Sequence, residues 1–205
     1  MAATGRQRGR SAQSGNRVRL GIINAIVLWA AGILGCGASI KLLLTELKHM
    51  SNPGAALECD ISPLIGCGAS LMSTQAHILG IPNSVLGMVA FAMLMVMATF
   101  AMFFPLPRSL WMAAGLAGAG GVGFVAWFLY HSIVTFRTLC PYCLVVWTAT
   151  LFAAGILLPQ ALVAMRKKPS SATVMSHTWA YILVLHLVVA LAIIIGMRTQ
   201  IGALL

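Results

Sequence analysis

The chain has 205 residues, of which 60% are hydrophobic and 8% charged, with a mean hydropathy of +0.95. Those values exclude a soluble globular domain and indicate an integral membrane protein. The formal charge of +10 is not set in a basic patch interleaved with aromatics, so it speaks for topology and anionic lipid and against nucleic acid.

In chain order, the first 19 residues, MAATGRQRGRSAQSGNRVR, are polar, Gly/Ser-rich and basic, and read as a disordered cytoplasmic tail. Leu20–Ile40 is the first uncharged run able to cross a hydrocarbon core of roughly 30 Å, which takes about 20 helical residues. Within it, ILGC at Ile33–Cys36 is an imperfect lipoprotein-type cleavage signal. It lacks the small residue two before the cysteine, and a span is the preferred reading. The loop Lys41–Ile81 follows, with turns marked by Asn52-Pro53-Gly54 and Ser62-Pro63 and a loosely amphipathic stretch after Pro63 that predicts a short surface helix. Four further runs complete the set: Pro82–Leu106, Ser109–Tyr130, Leu139–Met165 and His177–Met197. The link FPLPR is so short that the second and third spans are expected to be antiparallel neighbours. The predicted fold is therefore all-α: a polytopic domain over residues 20–205 with five spans.

Cations are retained on the cytoplasmic side of short loops. With the N-terminus inside, nine of the 13 Lys and Arg residues lie inside (Arg6, Arg8, Arg10, Arg17, Arg19, Arg108, Arg166, Lys167, Lys168). Lys41, Lys48, Arg137 and Arg198 fall outside, with all three acids, Glu46, Glu58 and Asp60. The expected location is the plasma (inner) membrane, multi-pass, N-terminus cytoplasmic.

That topology sorts the five cysteines. Cys36 is inside a span and reads as a small buried hydrophobe. Cys59 and Cys67 lie on the outer loop and Cys140 and Cys143 at the outer end of the fourth span, on the side of the membrane where disulfides persist. Cys140 and Cys143 are three apart and share a helix face. Pro141 suits the first helical turn, which makes Cys140 the cap residue, where unpaired amides and the helix dipole favour a thiolate. Two inert disulfides or a four-cysteine zinc site are the alternatives. The eight-residue spacing of the loop pair argues against zinc, and no βαβ pattern surrounds Cys-Pro-Tyr-Cys, which argues against a glutaredoxin-like domain.

Three motifs in order, CDISPLIGC, then IPNSVLG opening the second span, then CPYC opening the fourth, resemble the bacterial homologues of vitamin K epoxide reductase over roughly residues 20 to 165. The resemblance implies a four-helix bundle around a quinone site plus a fifth transmembrane helix. It implies a thiol oxidoreductase that takes two electrons from a thioredoxin-like partner on the extracytoplasmic side and passes them to menaquinone or ubiquinone, supporting disulfide formation in exported proteins. By position, Cys59 and Cys67 match the shuttle pair, Cys140 and Cys143 the active-site pair, and Asn83 the donor to the quinone carbonyl. Trp147 stands one turn after Cys143, where animal members carry a quinone-contacting tyrosine. Many bacterial members continue into a thioredoxin-like domain; none follows here, so the partner is expected to be a separate protein. No metal is expected. Other readings are a reductase serving quinone or quinone-epoxide recycling, and a non-catalytic scaffold with structural disulfides.

The second and fourth spans both start outside, so Asn83 and Cys140–Cys143 are expected at one depth. A polar amide beside a dithiol in an apolar layer suits a quinone head group. A helix cap is the ordinary role for Asn83. His77 and His131 are candidate proton relays at the same level, although an interfacial histidine is ordinarily just solvated. His186, mid-span, reads as a bundle histidine bonded to a neighbour. GAGGVG at Gly118–Gly123 follows no strand, so it reads as small-residue helix packing rather than a dinucleotide loop.

Overall fold

A computed structural model describes residues 17–54, 57–165, 177–198 and 202. Most of the expected tail, and Arg166, Lys167 and Lys168, the cations expected inside after the fourth span, lie outside the described residues. The elements in chain order are β1 (Arg17–Val18), α1 (Ile22–Ser51), α2 (Gly68–Leu71), a 3₁₀ turn (Thr74–His77), α3 (Asn83–Phe103), β2 (Leu106–Pro107), α4 (Arg108–His131), a π turn (Ser132–Phe136), α5 (Pro141–Met165) and α6 (Thr178–Gly196). Five of these helices are long and apolar enough to cross a membrane, so the protein is an all-α polytopic membrane protein.

Four of the five spans form the bundle. α1 packs on α3 and on α5, α5 packs on α4, and α6 lies against α5. Hydropathy does not distinguish core from periphery here. α5, at mean hydropathy 1.8, is 44% buried and α6, at 2.5, is 6% buried over their most apolar windows. Both sequences suit lipid; only partners on several sides make α5 the axis.

Three expectations need correction. The first helix does not stop at Ile40 but runs to Ser51, a length of about 45 Å, longer than the hydrocarbon core needs. Its last three turns carry Lys41 and Lys48 on one face and bury Leu42 and Glu46 on the other. The helical spacing of Leu42 and Glu46 supports this continuation, which the charges had obscured. Second, Arg17 and Val18 are not free tail: they pair antiparallel with Pro107 and Leu106. Third, α3 and α4, though joined by the short link, hardly touch; a cavity separates them. The surface helix expected after Pro63 appears as two single turns, Gly68–Leu71 and Thr74–His77.

The two ends of the bundle differ. At one rim the β1–β2 pair forms a clasp: Trp111 is fully buried and its indole N–H donates to Val18 O at 3.2 Å, tying β1 to α4 above a core of Leu28, Ala98, Ile156 and Leu157. The opposite, cysteine rim holds a smaller cluster built from Leu42, Leu57, Leu71, Cys59, Cys67 and Cys140. Small residues close the helix contacts between. A side chain at Gly115 would collide with Ala161, and one at Gly121 would come 2.9 Å from Thr150. The packing reading of the glycine run thus holds for Gly118 and Gly121, which face α5, while Gly120 and Gly123 face open space.

Candidate functional site

The site begins with backbone register. After the π turn, Arg137 adopts the left-handed conformation at φ 55°, unusual for a residue with a Cβ, and this reverses the chain into an extended segment. Leu139 N–H donates to Leu64 O at 2.8 Å and Gly66 N–H donates to Leu139 O at 3.1 Å, a one-residue parallel bridge. Cys140 directly follows Leu139 and Cys67 directly follows Gly66, and the two cysteines are thereby brought side by side.

Asp60 locks the loop in that pose. Its Oδ1 accepts from Cys67 N–H at 2.7 Å and from Gly68 N–H at 3.2 Å. A Cβ on Gly66 would stand 2.8 Å from the same oxygen, so the glycine is required by close approach. Cys59 and Cys67 are disulfide-bonded, with Cα atoms 5.7 Å apart. The Cys140 Sγ lies 3.2 Å from Cys67 Sγ, and Cys140 and Cys143 are free thiols. Three sulfurs are thus adjacent, and Cys67, not Cys59, is the loop member facing the helix pair.

Cys140 is the cap that the sequence predicts. Its carbonyl accepts from Leu144 N–H at 3.1 Å and its Sγ accepts from Cys143 N–H at 3.4 Å, the bonding of an N-cap side chain to the third helical residue. The Cys143 side chain, then the backbone amides of Cys143 and Tyr142, hold the Cys140 thiol below the usual cysteine range against the opposing effects of burial and the Asp60 charge.

Behind Cys143 opens a cavity of about 620 Å³ between α3 and α4, walled by residues of all four bundle helices. Asn83, Ser84, Cys143 and Trp147 all line it, together with Phe124 and Phe128 of α4. Trp147 is buried and meets Phe128 edge-on, ring centroids 6.4 Å apart. Asn83 is not the cap of α3. Pro82 holds that position, and the Asn83 amide instead donates to Gln75 O at 2.6 Å while its Oδ1 accepts from Ile78 N–H at 3.4 Å. It therefore fastens the Thr74–His77 turn as a roof over the cavity, with one amide hydrogen to spare. A smaller cleft of about 150 Å³ on the other face of α1, lined by Lys41, Lys48 and Glu58, holds no cysteine.

Sequence reasoning missed three residues of this region. Asp60 sits inside the motif used for the resemblance, but its role as an amide acceptor is not legible from spacing. Ser84 is buried and its hydroxyl has no partner among the described residues. Glu46 is 2% exposed and hydrogen-bonded to His77; it had counted only as an outer acid. Of the other histidines, His131 contacts Thr135 Oγ1 at 3.2 Å, and His186 is held by its own helix through Ile182 O and packs on Phe152. Cys36 is half-buried against the Ala31–Phe91–Ala149 cluster.

A dithiol on the wall of an apolar cavity, fed by a second cysteine pair, agrees with one comparison. The model of the vitamin K epoxide reductase family matches residues 26–158. The chain belongs to that family. Its members are membrane oxidoreductases that couple disulfide chemistry to quinones, and the match covers α1 through most of α5, hence every residue of the site. No curated protein matches the chain. The cavity fits the family's cofactor on its own evidence: flat aromatic walls, an unpartnered buried hydroxyl at Ser84 and a spare amide hydrogen at Asn83 suit a planar ring bearing carbonyl oxygens.

Proposed function

We propose that this protein oxidises a thioredoxin-like dithiol protein on the extracytoplasmic side of the plasma membrane and passes two electrons through two cysteine pairs to menaquinone or ubiquinone, sustaining disulfide formation in exported proteins. The observation that carries the reading is the 3.2 Å approach of Cys140 Sγ to Cys67 Sγ, with Cys143 on the cavity wall beyond. The cation bias of the sequence supports the orientation, with the cysteine rim outside.

Each protein step is thiolate attack on a disulfide. The partner's dithiol reduces Cys59–Cys67, attacking Cys59, since Cys67 Sγ already faces Cys140 Sγ. Cys67 thiolate then attacks Cys140 of an oxidised Cys140–Cys143 bond, giving a Cys67–Cys140 mixed disulfide. Cys59 resolves it, restoring Cys59–Cys67 and expelling Cys140 as a thiolate, a good leaving group because its thiol is acidified. The geometry described above, loop pair bonded and helix pair free, corresponds to the end of that transfer. A bound quinone supplies the acceptor for two electrons and two protons. Asn83, Ser84 and Trp147 position its ring, and Phe124 and Phe128 exclude water.

The test mixes purified protein with a reduced thioredoxin-like protein and a short-chain quinone, following quinone absorbance. Wild type should turn over. Cys143→Ala should reduce no quinone, yet still let the partner's dithiol open Cys59–Cys67. A Cys59→Ser, Cys143→Ser variant should accumulate the Cys67–Cys140 bond, seen by thiol trapping. Full quinone turnover by Cys143→Ala would refute the assignment.

A further inference from the structure

Glu46 is the strongest unexplained feature. Its side chain is 3% exposed while His77, to which it is bonded at 2.7 Å, is 34% exposed. A carboxylate is seldom buried at such a level without a purpose or a cation, and no Lys or Arg pairs with it among the described residues. Glu46 and Cys143 are the only ionisable side chains on the cavity wall among the described residues.

The hydrogen bonding fixes where a proton can move. His77 Nδ1 lies 3.2 Å from Ser73 O, and a carbonyl can only accept, so Nδ1 carries a hydrogen. The exchangeable site is then Nε2, facing Glu46 Oε1. One proton occupies that 2.7 Å contact, either as imidazolium against carboxylate or as neutral imidazole against carboxylic acid. The pair has a wet end at His77 and a dry end in the cavity wall. The Ser73 carbonyl, then the Glu46 carboxylate, raise the His77 value against the opposing effect of partial burial, which favours retention of the shared proton. Neighbouring charges are occupied elsewhere. Lys48 pairs with Glu58 in solvent and, with Lys41 and His49, lies on the other face of α1. Asp60 is bound to the Cys67 and Gly68 amides.

We propose that Glu46 and His77 form a proton carrier that loads from the aqueous side and delivers into the cavity during quinone reduction. The inference rests on the functional reading above. Its chemical need comes from a proton count. Counted from the reactive form of the reduced pair, with Cys140 as thiolate and Cys143 as thiol, forming their disulfide releases two electrons and one proton. Conversion of a quinone to its quinol consumes two electrons and two protons. The second proton comes from the Glu46 carboxyl, and His77 replaces it from water. Asn83 contributes by holding Gln75 O, and with it the turn that carries His77.

The test uses full-length protein, dithiothreitol as reductant and a short-chain naphthoquinone. In wild type, turnover should fall as pH rises through the value of the pair. Glu46→Gln, which keeps the size and a hydrogen-bonding group, should lower turnover about 100-fold and abolish that limb, with Glu46→Asp intermediate and His77→Gln matching Glu46→Gln. Dithiothreitol reduction of the four cysteines, measured without quinone, should stay at the wild-type rate and certifies the fold. A quinone-free readout decides independently: the His77 ring, titrated by NMR, should shift to lower pH in Glu46→Gln, with loss of a pH-dependent carboxyl infrared band. Equal turnover and pH profile in Glu46→Gln, or a His77 titration unchanged by it, overturns the carrier while leaving the functional reading intact. Wild type that reduces no quinone overturns the functional reading itself.

Discussion

The clasp rim and the cysteine rim close the same bundle by different means. The clasp is held by volume: a fully buried tryptophan over Leu28, Ile156 and Leu157. The cysteine rim is held by directed bonds: a one-residue bridge at Leu139, two amides on Asp60, Asn83 on Gln75 and Glu46 on His77. Packing of the first kind has one good arrangement. A few hydrogen bonds, each of net worth about 1 kcal/mol, can be exchanged while the loop cysteines change partners. On the relay proposed above, the end that must rearrange is the one with little volume committed.

The contrast breaks most sharply at Trp111. Trp111→Ala removes a wholly buried side chain and the bond to Val18, and should cost about 3–5 kcal/mol of stability. The molecules that remain folded should exchange Cys59–Cys67 with Cys140–Cys143 at the wild-type rate, because the clasp takes no part in the chemistry. Thermal unfolding in detergent, paired with thiol trapping, separates the two quantities. Slowed exchange in the folded fraction would mean that the ends are coupled.

At the other rim the balance should invert. Gly66→Ala pushes a methyl against Asp60 Oδ1 and displaces Cys67 from Cys140. Misplacement by about 1 Å costs roughly 100-fold in rate, while the melting temperature, governed by the far core, should barely move. Stopped-flow reduction of the helix pair by the loop pair measures it.

How much of this was legible in the sequence follows the same division. Runs of apolar residues give the spans, since the lipid requirement acts on each helix separately. The cysteine pairs and Asn83 were marked by motif. What escaped was set by contacts between segments remote in sequence. Glu46 looks like a solvated acid until α1 is known to continue past Ile40 and to meet His77, 31 residues on. The separation of α3 from α4 was hidden because a short link fixes proximity at one end only. The choice of Cys67 over Cys59 depends on the bridge to Leu139, for which no local pattern exists.

A milder perturbation is pH. The Cys140 value is depressed, so the thiolate survives below the usual cysteine value of about 8.5 and is lost only as pH falls through the folded value. By linkage this ionisation contributes stability above the unfolded value, which declines as pH drops through the folded one. Thiolate absorbance of a variant lacking Cys36, Cys59 and Cys67 should therefore titrate below the ordinary range. Titration at or above about 8.5 would remove the cap argument.

The smallest effect is expected at Lys48, and it tests which polar contacts of the cysteine rim matter. Lys48 and Glu58 make a 2.8 Å ion pair, nearly as short as the 2.7 Å Glu46–His77 contact, and Glu58 directly precedes Cys59. Yet both partners are exposed, and an ion pair in water is offset by hydration and side-chain entropy. Glu58 is held below the usual carboxylate range by the hydrogen bond from Lys48, but solvent and salt screen such an effect. Lys48→Ala should then leave loop exchange and quinone turnover within about twofold of wild type, at low salt as at high. A loss comparable to that of Gly66→Ala would mean that the loop is steered by charge as well as held by its backbone, and the division between a packed rim and a bonded rim would have to be redrawn around Glu58.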